Sequence, residues 1–517
     1  MSTAPPPPRP QRAESQSVPF AVVMAALATA LIVAAALLAG SESGREISAI
    51  VLFIPSIFLF GALARRKPAT VVLLLVVVIG FSGTFAIHFG LPITATAWLL
   101  MLGLIASTLS SHFLTVRSKR LQFWPGLAVM VLYALAVAVS IPFAETLGIG
   151  GRGFIAGPAF VLVLLALAYA PWDEETRWRV LNAVIAALLV VGSYALFRLI
   201  VGPSSLEEKQ ATLSADIAGE LALFGSFTSR LELGNFAAIA VPVLFAAFLG
   251  TAGRTRKASA IGFGLMVVAL LGSQVRTALV AAVVGICVVL VLFQLASAFT
   301  GARAGITVIA MTGMLFIGGV GYAVTIADSP ARVQRFEQIL DPGEDYSFQR
   351  RVRKWNDAIA EINQHPFGQG LGTAGAVQRF RSRIFRLDNL YIDNSYLQVG
   401  IQLGYPGLIL FVLGPVLVLF ALAKNSLFTR NRRAAVLGIG ASGAIVAWFI
   451  DLMTGDAFGS WAALLLSITI GLAVGAFVSE PPIGTGKRSR ALGPLRAETP
   501  VDPGSAADQP ARASTAA

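Results

Sequence analysis

Cysteine is almost absent. Cys287 is the only one and it sits in an apolar run, so no disulfide can form within one chain and no cysteine-based metal site can be built. Histidine is scarce too: His88, His112 and His365 are too few for a histidine-rich metal centre. Charge is the third shortage. Only 13% of the 517 residues are charged while 56% are hydrophobic; a soluble chain would carry charge on about a quarter of its residues. Together these shortages exclude an ordinary soluble enzyme and leave a polytopic membrane protein. Periodicity decides little inside its spans, because helices facing lipid are apolar all round. Acidic residues, 27 against 39 basic ones, leave a net charge of +12. Nucleic acid is not the partner this implies: much of the positive charge flanks apolar runs, where it sets membrane orientation, and no nucleic-acid-binding motif accompanies it.

What the chain has in abundance is apolar runs long enough to cross a bilayer. They lie at roughly 18–40, 47–64, 69–87, 91–110, 123–143, 153–170, 179–201, 234–251, 259–273, 277–298, 305–326, 395–422, 435–453 and 459–478. The expected fold is an all-α polytopic bundle of about fourteen spans. The run at 18–40 is longer than the apolar region of a cleaved signal and reads as a retained span. Residues 1–17 form a Pro-rich tail and residues 481–517 a tail rich in Pro, Ala, Gly and Arg; both read as disordered and cytoplasmic, flanking a transmembrane domain at 18–480. Alternate short loops carry the cations: Arg65-Arg66-Lys67, then Arg117, Lys119 and Arg120, then Arg177 and Arg179. The series continues with Arg254, Arg256 and Lys257, then Arg303, then Lys424, Arg430, Arg432 and Arg433. These loops are expected in the cytoplasm, which places the long segments 202–234 and 327–393 on the outer face.

The segment 327–393 is the one long polar stretch between strongly apolar ones. It holds Arg350, Arg351, Arg353 and Lys354, then Arg379, Arg381, Arg383 and Arg386. Phe348, Val352, Trp355, Ile359 and Ile362 recur at four- and three-residue steps, predicting an amphipathic helix from about Tyr346 to Gln364, with Ser347 as its cap and Pro366 as its stop. The helix is expected on the membrane or across the tops of the spans; arginines that merely anchor it at the interface are the plainer reading. Two more arginines stand at the same face, Arg230 at the mouth of a span and Arg276 in a tight turn between two. An arginine at the edge of hydrocarbon is costly, so both are either snorkelling anchors or functional groups. The functional reading is a guanidinium cluster holding a phosphate or diphosphate, since the planar fork donates two parallel hydrogen bonds to phosphate oxygens. Gly368, Gly370 and Gly372 form either a backbone nest for an anion or a simple flexible turn. Asp451 and Asp456, at the outer end of another span, either touch hydroxyl groups of a ligand or pair with arginines.

The order of these features resembles the O-antigen ligase and polysaccharide polymerase superfamily. The resemblance rests on Arg230 to Asn235 before a span, Ser273 to Arg276 between two spans, and Arg351 with Trp355 on the loop helix. It continues through His365-Pro366-Phe367-Gly368-Gln369-Gly370, Asp393-Asn394-Ser395-Tyr396-Leu397-Gln398 and Gln402-Leu403-Gly404-Tyr405-Pro406-Gly407. It covers about residues 228–420. It implies a cofactor- and metal-independent, inverting glycosyltransferase of the bacterial inner membrane, active at the periplasmic face in O-antigen, capsule or exopolysaccharide synthesis. The partners it implies are an undecaprenyl-diphosphate-linked glycan, an acceptor glycan or glycolipid, and membrane lipids. Arg230 and Arg276 match arginines that hold the donor diphosphate. Arg350, Arg351, Arg353, Gly370, Asn394 and Tyr396 are the expected substrate contacts. Where ligases carry His-Asn at the end of the loop, this chain carries Asp393-Asn394. Asp393 therefore either takes the acceptor proton, most readily if burial raises its pKa, or caps the helix beginning near Asn394. The missing histidine favours a polymerase over a ligase acting on lipid A core. A flippase for such lipids is the reading from another class, but it would favour charge near the middle of spans, whereas here charge gathers at one face.

Overall fold

A computed structural model describes residues 56–89, 93–114, 124–144, 147–155, 157–211, 216–217, 220–296, 346–374, 392–455 and 460–478. The spans expected at 18–40 and 305–326, the loop up to residue 345, the run Arg379 to Arg386, Asp456 and both tails lie outside these residues. So does the first part of the expected span at 47–64, of which residues 56–64 are helical.

The helices are α1 (Pro68–Gly80), α2 (Ser82–Phe89), α3 (Ile93–Leu114), α4 (Pro125–Ser140), α5 (Leu147–Ile155), α6 (Phe160–Ala168), α7 (Glu174–Val201) and α8 (Ser205–Ala211). There follow α9 (Arg230–Gly250), α10 (Gly253–Ser273), α11 (Arg276–Leu295), α12 (Tyr346–Gln364), α13 (Ser395–Phe428), α14 (Arg432–Asp451) and α15 (Trp461–Val478). One small antiparallel pair, β1 (Asp216–Ile217) with β2 (Glu220–Leu221), precedes α9. Among the described residues eight helices are long and apolar enough to cross a membrane, or nine if α1 and α2 count as one span bent by 67°. The expected spans at 91–110 and 153–170 fall on shorter apolar helices. The protein is a helical polytopic membrane bundle.

Local chemistry explains where these helices begin. Pro68 and Pro125 stand in the first turns of α1 and α4, where a missing N–H costs nothing. Asp173 caps α7 by accepting from the Thr176 amide, and Asn431 caps α14 by accepting from the amides of Arg433 and Ala434. Almost the whole of α9 is buried, and α14 and α15 nearly as much, so these three form the centre. Small residues let backbones meet there, as membrane helices require in place of a hydrophobic driving force. Pro242 of α9, Gly285 of α11 and Gly443 of α14 share one crossing, and a methyl group at Gly443 would lie 2.8 Å from the Gly285 carbonyl.

One topogenic charge turns out to be internal. Arg177 is only 3% exposed; its Nη1 donates to the Leu167 carbonyl at 3.1 Å and its Nη2 to Ala170 at 2.9 Å. It satisfies carbonyls that the end of α6 leaves without helical partners. Beside it, Arg433 lies 3.1 Å from Glu175 and 3.4 Å from Glu174, and Asn431 donates to Glu174. The starts of α7 and α14 therefore share one end of the bundle. The starts of α9, α11 and α13 lie at the other end, where α14 finishes.

Candidate active site

The site end is built first around the start of α9. The hydroxyl of Ser229 accepts from the Glu232 amide at 3.2 Å, and the Glu232 carboxylate accepts from the amide and hydroxyl of Thr228 at 3.2 and 2.7 Å. This reciprocal stitch is a capping box shifted by one residue. It sets Arg230 as the first residue of the helix, and its Nη1 reaches the Gln274 carbonyl at 3.4 Å. Gln274 ends α10 with φ 54°, the only non-glycine at positive φ among the described residues. That left-handed step lets the chain reverse into α11, whose first residue is Arg276. Gly234, one turn into α9, leaves space for this reversal: a methyl group there would lie 3.0 Å from Ser273 Oγ and 2.8 Å from Val275. Two arginines distant in sequence thus flank one turn. Each also opens a helix, so the positive ends of two helix dipoles add to their charge.

Hydrogen bonds carry this cluster across to α13. The hydroxyls of Thr277 and Thr454 stand 2.5 Å apart. Ser395 donates its amide to Leu452 at 2.9 Å and its hydroxyl to Gly455 at 2.7 Å. Asn394 caps α13, its side-chain oxygen accepting from the amides of Tyr396 and Leu397 at 3.0 and 3.1 Å. Beside Gly455 lie two buried polar side chains. A methyl group on Gly455 would lie 3.2 Å from Asn235 Nδ2 and 3.6 Å from Asp451 Oδ2. Asn235 and Asp451 are 7% and 4% exposed, and Asp451 Oδ1 has no hydrogen-bond partner among the described residues. A buried acceptor left without a donor is unfavourable by about 1–3 kcal/mol, so this oxygen is suited to accept an O–H or N–H.

The loop helix α12 closes over α13. It runs over the predicted residues, Tyr346–Gln364, but its buried face is rotated. Ile359, expected on the apolar stripe, is 46% exposed, while Ala358 and Ile362 are buried with Ala374, Ile392 and Ile401, and Trp355 packs beside them. Ile362 occupies a notch over Gly400, where a methyl group would lie 2.6 Å from its Cδ1. The turn after α12 seats itself in a break of α13 at Gly404, whose φ is 66°. The Tyr405 amide donates to Pro366, and the amides of Gln369 and Gly370 donate to Ile401 and Gln402. Gln402 also takes the Gly372 amide on its side chain at 3.0 Å and donates to Ala374. At the other end of α12, Arg351 Nε stands 3.8 Å from Asp393 Oδ2, both half-exposed.

Residues 261–412 match the protein-family model described as O-antigen ligase. Over that stretch the chain is similar to O-antigen ligases. No curated protein matches it in sequence. The matched stretch holds Arg276, α12 and Asp393; Arg230, Asn235 and Asp451 lie outside it and are brought to the same end by the fold. The match supports a membrane glycan ligase or polymerase in general terms.

The expected site residues divide into two groups. Arg230, Arg276, Asp393 and Asn394 stand at or beside helix starts at one end of the bundle, and Arg351 pairs with Asp393. Arg353 is exposed on α12, and the Arg350 side chain lies outside the described residues. Three expectations change. Asn394, not Asp393, caps α13. The amides of Gly368, Gly370 and Gly372 serve His365 and Gln402, so they do not form an anion nest, and the looser alternative of a simple flexible turn gives way to a docked one. Tyr396 donates its phenol to Phe449 at 2.7 Å and rests its ring on Phe411, which ties it to the bundle rather than to the surface. Sequence reasoning missed the Thr277–Thr454 link and the juxtaposition of Asn235 with Asp451. Both rest on contacts between distant helices, and no local pattern marks them.

Proposed function

We propose that the chain transfers a glycan from an undecaprenyl-diphosphate carrier to an acceptor sugar hydroxyl, as a polymerase of surface polysaccharide at the periplasmic face of a bacterial inner membrane. The observation that carries this reading is the meeting of Arg230 and the Arg276 turn at the mouths of two helices, tied through Thr454 and Ser395 to the Asp393 segment. Diphosphate leaves with growing negative charge, and two guanidiniums at paired helix N-termini stabilise that charge more in the transition state than in the bound donor. Their bidentate geometry also fixes the diphosphate so that the anomeric carbon faces the acceptor. Asp393 takes the proton of the acceptor hydroxyl as the new C–O bond forms, and Arg351 orients the carboxylate. Attack opposite the leaving diphosphate inverts the anomeric centre. Asp393 in place of the histidine of ligases is what favours a polymerase. Membranes supplied with carrier-linked repeat units provide the test: chains should lengthen with the wild-type protein, and unextended repeat units despite abundant inserted protein would overturn the reading.

A further inference from the structure

The break between α1 and α2 falls inside an apolar run, where stranded main-chain groups are tolerated only if protein satisfies them. Ser226 satisfies three of them. This residue is 0% exposed. Its hydroxyl donates to the Gly80 carbonyl, and its own carbonyl accepts from the amides of Gly83 and Thr84 at 2.9 and 3.1 Å. The approach is so close that a methyl group at Gly83 would overlap the Phe227 carbonyl. The segment so held leads directly into the Thr228–Glu232 stitch and Arg230. On its other flank the Leu223 amide donates at 3.0 Å to the Gly272 carbonyl, two residues before Gln274. One short strand of chain is therefore pinned to the helix break and to the end of α10, and it delivers one arginine beside the other.

We infer that Ser226, wedged into the α1–α2 break, is a positioning residue that holds Arg230 in register with the Arg276 turn for the donor diphosphate. The inference rests on the reading that these arginines hold the donor. The loss of one buried hydrogen bond sets the size of the expected effect, about five- to tenfold. In full-length protein in nanodiscs, Ser226→Ala should speed amide hydrogen exchange across residues 224–232 by about that factor. It should weaken the affinity for undecaprenyl diphosphate to a similar degree at unchanged abundance and folded fraction. Ser226→Cys, which keeps a weak donor, should recover part of both. Gly83→Ala, which pushes the same segment from the opposite side, should reproduce the alanine pattern. Unchanged exchange across 224–232 in Ser226→Ala overturns the inference, as does faster exchange with unaltered affinity. Arg230→Ala is measured in parallel. If it binds undecaprenyl diphosphate as well as wild type, the donor reading itself fails; if it binds weakly while Ser226→Ala does not, only the positioning role falls.

Discussion

Asp393 can be tested cleanly because the residue beside it does the capping. Since Asn394 caps α13, Asp393→Asn leaves that helix start intact, and any lost activity reports on the carboxylate. We expect polymer formation to fall by roughly two to four orders of magnitude, the usual contribution of a general base. Asp393→His should retain partial activity. Near-normal chains from well-expressed Asp393→Asn would move acceptor activation elsewhere, and Asp451, buried beside Asn235 with one oxygen unpartnered among the described residues, is the next group to test. Arg276→Ala should abolish polymer while the protein stays inserted, and Arg276→Lys should rescue poorly, because an ammonium lacks the bidentate fork; full activity in the lysine variant would reduce the site to a generic charge. These arginines were legible in the sequence because a guanidinium at the edge of hydrocarbon stands out. Ser226 was not, because a serine in a loop looks ordinary until the helix break it fills is seen.

At the scale of elements, the bounds of α12 were readable from spacing and from Pro366, but its rotation was not. The notch at Gly400 that receives Ile362 belongs to another helix, and it turns the stripe so that Ala358 goes in and Ile359 goes out. Ile362→Ala should therefore destabilise the docking of α12 by about 2–5 kcal/mol, while Ile359→Ser should cost little; proteolysis of the loop in the folded protein distinguishes the two. The bend after Gly80 was likewise unreadable, since the partner that satisfies it lies far along the chain. Above that bend, α2 and α8 are joined by Glu207. It accepts from Arg198 at 2.5 Å, His88 at 3.3 Å, the Tyr194 hydroxyl at 3.4 Å and the Ser204 amide at 2.8 Å. Burial pushes its pKa up, but the Ser204 hydrogen bonds, His88 and the charge of Arg198 outweigh it and leave the pKa below the ordinary value of 4.5. A depressed carboxylate stabilises the fold above that ordinary value, and the contribution fades as pH falls through the depressed one. The melting temperature in detergent should drop as pH goes below about 4.5, and Glu207→Gln should lower it at neutral pH and flatten that acid limb; an unchanged limb would show that other groups set it.

For the whole molecule, composition alone established a polytopic membrane bundle, and alternating loop charge suggested its sidedness. The starts of α7 and α14 do share one end, and the arginine site gathers at the other. We expect α12 to face the periplasm. In a Cys287→Ala background, an impermeant thiol reagent should label Asp357→Cys in intact cells and Arg254→Cys only after the cells are broken. The reverse pattern would invert the bundle and remove the site from periplasmic substrates. The grouping of Asn235, Thr277 and Asp451 was not readable, because they lie on separate helices whose mutual heights depend on packing.

The seat of the 366–370 turn at Gly404 carries a consequence for how this protein tolerates change. Three main-chain hydrogen bonds hold it, through Pro366, Gln369 and Gly370. The side chains of His365 and Phe367 point away from the task and are exposed. A clasp made of backbone is blind to most side chains, so the turn can accumulate substitutions at those two positions and still close. Gly368 and Gly404 have no such freedom, since any side chain would strike the opposing backbone. The exposed side chains of this edge can thus change while the backbone clasp beneath them stays the same.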